Sequence, residues 1–274
     1  MRATRLFAAL LMLFLARAAC AHDDVRVTLD RLEKLARATP SDLTVLLRHA
    51  ELSRLAGDSD AARRDLDTLE ARAPRLPGAF LLRAALARDA GRPAEAVAQV
   101  DRFLAVSDGV DDATVSRAFA LRAEAHAALR ENMAALEDWD RAFSLSPAPP
   151  ADWALARARL AVASGLDALP ALERALERMS DEPSLVFLAA DLDTDAGRVD
   201  AAVARLDRLA ARCAQPAAIL ARSGDLLARA GRSLDAEARW TEALARLEGD
   251  GRAESSELAA LRTRLIRALD GEQP

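Results

Sequence analysis

Tyrosine is absent from the 274 residues, aromatics make up 4%, and Lys34 and Asn132 are the only lysine and asparagine. Aromatic and β-branched runs are what strands favour, so their scarcity argues against a sheet. Two cysteines, Cys20 and Cys213, are too few for a disulfide framework. No G-x-S-x-G motif or glycine-rich phosphate loop occurs, and no nucleophile stands beside a base at a known spacing. The eleven apolar residues from Leu6 to Ala16 are too short to anchor in a bilayer.

Alanine, leucine and arginine dominate instead. They are strong helix formers, and with 51% apolar and 30% charged residues they predict a soluble all-α protein. At the start, Arg2 and Arg5 precede the apolar run, and Ala19-Cys20-Ala21 follows it. That three-part layout is a secretory signal peptide over 1–21, cleaved after Ala21. Cys20 leaves open a lipid-anchored form, although Arg17 stands where a lipid-attachment site wants an aliphatic residue. Cleavage removes three arginines and no acids, taking the net charge from −5 to −8. An acidic chain with interspersed charges argues against nucleic acid or anionic membrane as ligand. Cys213, then alone, is expected to be a small buried apolar residue.

A period of 34 organises the rest. Gly57 and Gly91 stand 34 apart, as do Gly197 and Gly231, with Arg130 and Gly165 in the equivalent place between them. Seven residues before each lies a small residue: Ala50, Ala84, Ala123, Ala158, Ala190 and Gly224. Five after lie Ala62, Ala96, Ala135, Ala202 and Ala236. Nine and twelve after come Leu66 and Leu69, Val100 and Phe103, Trp139 and Ala142, Leu206 and Leu209, Trp240 and Ala243. Two helices joined by a tight turn must touch, and small residues let their backbones approach. Pro74 and Pro147 stop the second helix of their repeats. Trp139 and Trp240 read as core, while Trp153 lies near a helix start.

These repeats, best seen in "ALEDWDRAFSLSP" at 135–147, resemble the tetratricopeptide repeat family, whose 34-residue helix–turn–helix units stack into a right-handed α-solenoid. About six units are expected over 42–248, with capping helices at 22–41 and 249–274. The leading stripe is Val25, Leu29, Leu32 and Leu35; the closing one is Leu258, Leu261, Leu265 and Leu269. The fourth repeat departs from the pattern, with Pro170 in place of the small alanine and a shortened second helix. In "VSDGVDDAT", Asp108, Asp111 and Asp112 read as turn and N-cap residues.

Three sets of residues have the types that chemistry would need. Asp191, Asp193 and Asp195 have the spacing of an EF-hand calcium loop, but Ala196 and Ala202 replace its glycine and glutamate. The repeat register also puts them in a helix, where residues two apart face away from one another. His22 would be the mature N-terminus, yet His49 and His126 lack metal-ligand spacing to it. Glu137 and Asp138 read as solvated acids paired with Arg141 on their own helix. No catalytic residue, cofactor or metal is therefore assigned.

The resemblance implies that the first helix of each repeat lines a concave groove where a protein or peptide docks. Carried over, the candidate lining is Leu47, Glu51, Arg54, Leu81, Arg88, Arg117, Glu124, Leu155, Arg159, Phe187, Asp191 and Asp225. The family's lysine and asparagine carboxylate clamp is missing from it. The expected protein is a non-catalytic binding scaffold exported to the periplasm or beyond. The alternatives are a secreted enzyme or metal-binding protein using the fourth repeat or His22, and an envelope assembly factor anchored through Cys20. Partner and oligomeric state stay open.

Overall fold

The computed structural model describes residues 27–39, 42–249 and 256–270; the expected signal peptide, Cys20, His22 and Val25 lie outside them. Among the described residues all regular structure is helical. Helix α1 covers 27–38. It is followed by α2 (Leu43–Leu55), α3 (Ser59–Arg72), α4 (Pro77–Asp89), α5 (Pro93–Leu104), α6 (Asp112–Ala128) and α7 (Asn132–Leu145). Then come α8 (Ala151–Ala163), α9 (Leu169–Arg178), α10 (Pro183–Asp195), α11 (Val199–Ala210), α12 (Ala217–Arg229), α13 (Ser233–Gly249) and α14 (Ser256–Leu269). The chain divides between Pro147 and Ala148 into two compact units. The first stacks the hairpins α2/α3, α4/α5 and α6/α7; the second stacks α8/α9, α10/α11 and α12/α13, with α14 packed on α13. This is an all-α solenoid of paired helices.

Local chemistry starts and stops these helices. Asp42, Asp58 and Asp111 cap α2, α3 and α6, accepting from the backbone N–H groups of Thr44 (2.9 Å), Ala61 (2.9 Å) and Thr114 (2.8 Å). Within each hairpin the turn ends the first helix in one way. In the second repeat Gly91, at φ +66°, donates to the Arg88 carbonyl, and Arg92 donates to that of Ala87. In the third, Arg130 makes the same turn at φ +61°, the one non-glycine with positive φ among the described residues. Its Cβ carries the strain that glycine avoids.

Hairpin packing follows the small residues. Ala50, Ala84, Ala123 and Ala190 are fully buried, and so are their partners Ala62, Ala96, Ala135 and Ala202; Ala158 of the fourth repeat and Ala236 of the sixth are buried as well. Gly224 shows why the position must be small: a Cβ there would meet the indole of Trp240 at 2.5 Å. Leu66, Leu69, Val100, Phe103, Trp139 and Leu206 fill the core beyond. Trp240 is only half-buried, and its Nε1 donates to Asp225 at 3.1 Å. In the fourth repeat Pro170 occupies the first turn of α9, where a missing N–H costs nothing. Ala168, Leu172 and Ala175 bury this ten-residue helix.

At the C-terminal end, fully buried Leu265 joins Leu220, Ala221 and Ala243, so α14 covers the last hairpin. On α1, Leu29 and Leu32 are half-buried while Leu35 is exposed. One expectation fails here: Cys213 is exposed, not buried. Helix α11 ends at Ala210, so Cys213 falls in the connection to α12, where the apolar periodicity no longer applies.

Two substitutions test this packing. Arg130→Gly should raise stability by about 1 kcal/mol by relieving the left-handed turn. Gly224→Ala should lower it by about 1–3 kcal/mol through overpacking against Trp240. Denaturant melts followed by circular dichroism read both.

Candidate functional site

In the first unit the first helices α2, α4 and α6 set seven of the predicted lining residues in one layer. Leu47 is half-buried against α4, where a Cβ on Gly78 would come within 2.7 Å of its Cδ2. Leu81 is half-buried against the cluster that holds Phe80, Val100 and Phe103. Glu51 and Arg117 are exposed. The Arg117 Nε donates to the Ala113 carbonyl of its own helix.

Arg54 and Arg88 are joined through Asp89, which is not among the predicted lining residues, and Arg88 goes on to Glu124. Arg54 Nη1 donates to Asp89 Oδ2 at 2.5 Å, Arg88 Nη2 donates to Asp89 Oδ1 at 2.9 Å, and Arg88 Nη1 reaches Glu124 Oε2 at 3.3 Å. Burial opposes ionisation of Asp89, but the guanidiniums of Arg54 and Arg88 outweigh it and hold its carboxyl below the usual range.

The second unit uses its candidates differently. Leu155 is buried at 8% exposure and offers nothing to a ligand. Alanine-rich α8 also buries Ala154, Ala158 and Ala161, a wider stripe than the repeat register allots. Arg159 is exposed. Phe187 is half-buried, with the Arg222 guanidinium 6.0 Å above its ring. Arg222 also donates to Asp191 at 2.5 Å. Asp225 is held by Trp240 and by Arg264 of α14, at 3.0 and 2.9 Å.

The three alternating aspartates lie within α10; Asp193 has its own pair of cations, while Asp191 and Asp195, one turn apart, both reach Arg229. Asp191 meets Arg222, Asp195 meets Arg229 at 3.1 Å, and buried Asp193 accepts from Arg198 at 2.8 Å and Arg205 at 2.7 Å. No cluster of three metal-ligating side chains occurs among the described residues. Burial opposes ionisation of Asp193 too, and Arg205 with Arg198 outweighs it, so its carboxyl is depressed.

A second correction concerns Asp138. It is buried, not solvated, and takes a two-pronged bond from Arg122 of α6 at 2.7 and 2.8 Å. Arg141, assigned to it by helix spacing, instead lies 5.7 Å from the Phe119 ring. Hairpin closure decides this. Arg122 stands eight residues before the turn residue Arg130 and Asp138 eight after, and His49 and Asp65 are paired at 2.5 Å in the same places around Gly57.

Successive second helices are also joined. Arg102 bonds Glu70, Arg205 bonds Glu173 and Arg239 bonds Asp207, each across 32 residues. Opposite charges separated by nearly one period were the sequence signal for these ties. In the irregular fourth repeat, a cleft of about 270 Å³ opens beside α9, floored by Leu176, Val186 and Leu209.

No protein-family model matches the sequence, and no curated protein sequence does so significantly. Solved structures do match. The C-terminal part of a TPR repeat-containing protein from Cytophaga hutchinsonii aligns at TM-score 0.62 with 10% identity, over 82% of this chain and 87% of that one. A tetratricopeptide repeat protein from Parabacteroides merdae ATCC 43184 aligns at 0.51 with 16% identity, over 89% and 93%. A chain in the structure of Naa15/Naa10 bound to HypK-THB aligns at 0.52 with 13% identity, over 84% of this chain and 34% of that one. The fold is therefore that of the tetratricopeptide repeat proteins.

Asp138→Asn should cost about 1–3 kcal/mol, because Arg122 loses its two-pronged buried partner and keeps only Asp101. Asp193 has a depressed carboxyl, so its stabilisation is present above the unfolded value of about 3.9 and is lost as pH falls through the lower folded value. The unfolding midpoint of Asp193→Asn should therefore fall less steeply than wild type as pH drops from about 4 towards 2. Thermal melts across that range measure it.

Proposed function

We propose that this chain is a non-catalytic scaffold, exported to the bacterial cell envelope, whose first-helix layer binds a protein or peptide. The observation that carries the reading is the layer of the first unit, where exposed Glu51 and Arg117 stand beside half-buried Leu47 and Leu81. Such a surface combines apolar contact with charged groups that fix orientation. A neighbour of the same fold within a bound protein assembly, the Naa15/Naa10 structure with HypK-THB, supports it. Export is supported by the arginine, apolar and small-residue order of 1–21. No helix among the described residues is long and apolar enough to cross a membrane.

A photocrosslinking residue placed at Glu51 or Arg117 should form a specific adduct in living cells, while one at exposed Arg64 on the second helix α3 should not. Equal labelling from all three positions would sink the assignment of this face. In the same preparation, intact-mass measurement of the envelope fraction should find a chain beginning at His22.

A further inference from the structure

Helices α2 and α4 meet in two chemically different ways along their length. Near the start of α4 the contact is apolar and close, Leu47 lying on the side-chain-free face of Gly78. At their turn-side ends a charged tie joins them, the 2.5 Å bond from Arg54 to Asp89. Arg88 extends that tie to Glu124 on α6. The Arg54 guanidinium makes only part of the bonding it could, since its Nε is buried without a hydrogen-bond partner. By contrast Asp138 holds Arg122 with two parallel bonds, the stronger arrangement. Asp89, Arg88 and Glu124 keep 37, 39 and 44% of their side-chain surface in water and Arg54 keeps 15%, so dissolved ions reach this row from the Asp89 side.

We propose that Arg54–Asp89–Arg88–Glu124 is a salt-releasable latch on the first-helix layer, with the Leu47–Gly78 contact as its pivot. Mobile ions screen exposed pairs, and the screening length contracts from about 10 Å at 0.1 M to about 3 Å at 1 M. The apolar pivot does not weaken in this way. Raising the salt therefore frees the turn-side ends of α2 and α4 while their other ends stay together, and the layer widens on one side. This device holds whether or not a partner docks there, so its test is separate from the crosslinking experiment.

Spin labels at exposed positions 55 and 90, at the turn-side ends of α2 and α4, report the opening in the full chain with Cys20 and Cys213 replaced by serine. With the native latch, the label distance should lengthen by about 1–2 Å and its distribution broaden between 0.1 and 1 M potassium chloride, as expected of a helix shift. Asp89→Asn should show the broad, longer distribution already at low salt. Glu70→Gln, which cuts the ties of α3 to Arg102 of α5 and to Arg83 in the middle of α4, should leave it at the wild-type value. An unchanged distribution at 1 M salt overturns the latch, as does an equal response to Glu70→Gln. Circular dichroism checks that Asp89→Asn is folded; if it is not, the salt series on the native latch residues decides alone.

Discussion

The structure depends on a contact the size of a methyl group. Two helices joined by a three- or four-residue turn lie side by side only if nothing larger than alanine stands where they cross. In the first, second, third and fifth hairpins that contact is alanine on alanine, fully buried. In the sixth the order is altered: Trp240 reaches across from α13 and glycine yields the whole position at 224. At 224 glycine is required by what Trp240 occupies, whereas in the third hairpin Trp139 stands at the same register and Ala123 is kept. The turn residue belongs to the same constraint, because a left-handed backbone angle brings the second helix back along the first. Arg130 shows that the geometry is obligatory even where the residue is not suited to it.

Once the hairpins are closed, charge does much of the joining between them. An alanine-rich crossing buries little apolar area compared with aromatic residues, of which this chain has few. Arginine supplies a second kind of tie. Its planar fork spans from one helix to the next and keeps its charge under all ordinary conditions. Two rows of pairs, one between first helices and one between second helices, use carboxylates about one period away. Arg83–Asp67 and Arg122–Asp101 join a second helix to the next first helix. Singly, such exposed pairs stabilise by roughly 0–1 kcal/mol. The buried members, Asp138 and Asp193, matter more because they lie out of water, although Arg122 and Arg205 each keep a second partner in Asp101 and Glu173.

This use of charge narrows what the first-helix layer can offer a partner. Arg54, Arg88, Glu124, Asp191 and Asp225 are already bonded within the chain. A ligand must either compete with those bonds or bind through the groups they leave free. Glu51, Arg117 and Arg159 are exposed, and Leu47, Leu81 and Phe187 are half-buried. Within each unit the first helices therefore offer a mixed surface with a few adaptable points. The proposed latch would make its width respond to ionic conditions.

Period and composition by themselves determined the helices, their pairing into hairpins, the turn residues and the alanines between them. All of these are decided by contacts near in the chain: a cap two or three residues away, or a crossing within one repeat. Hence Asp111 was readable as a cap and Gly224 as a packing position. Three-dimensional stacking alone decided which charges are spent and which are free. Asp138 looked solvated because helix spacing offered it Arg141, yet hairpin closure brought Arg122 nearer and shut out water. Asp89 drew no notice because its partners lie on another helix and on its own adjacent residue. Leu155 and Cys213 exchanged expected places because burial depends on how wide a stripe the neighbours cover and where a helix ends. Side-chain burial and pairing are properties of the assembled layers, and no single repeat contains them.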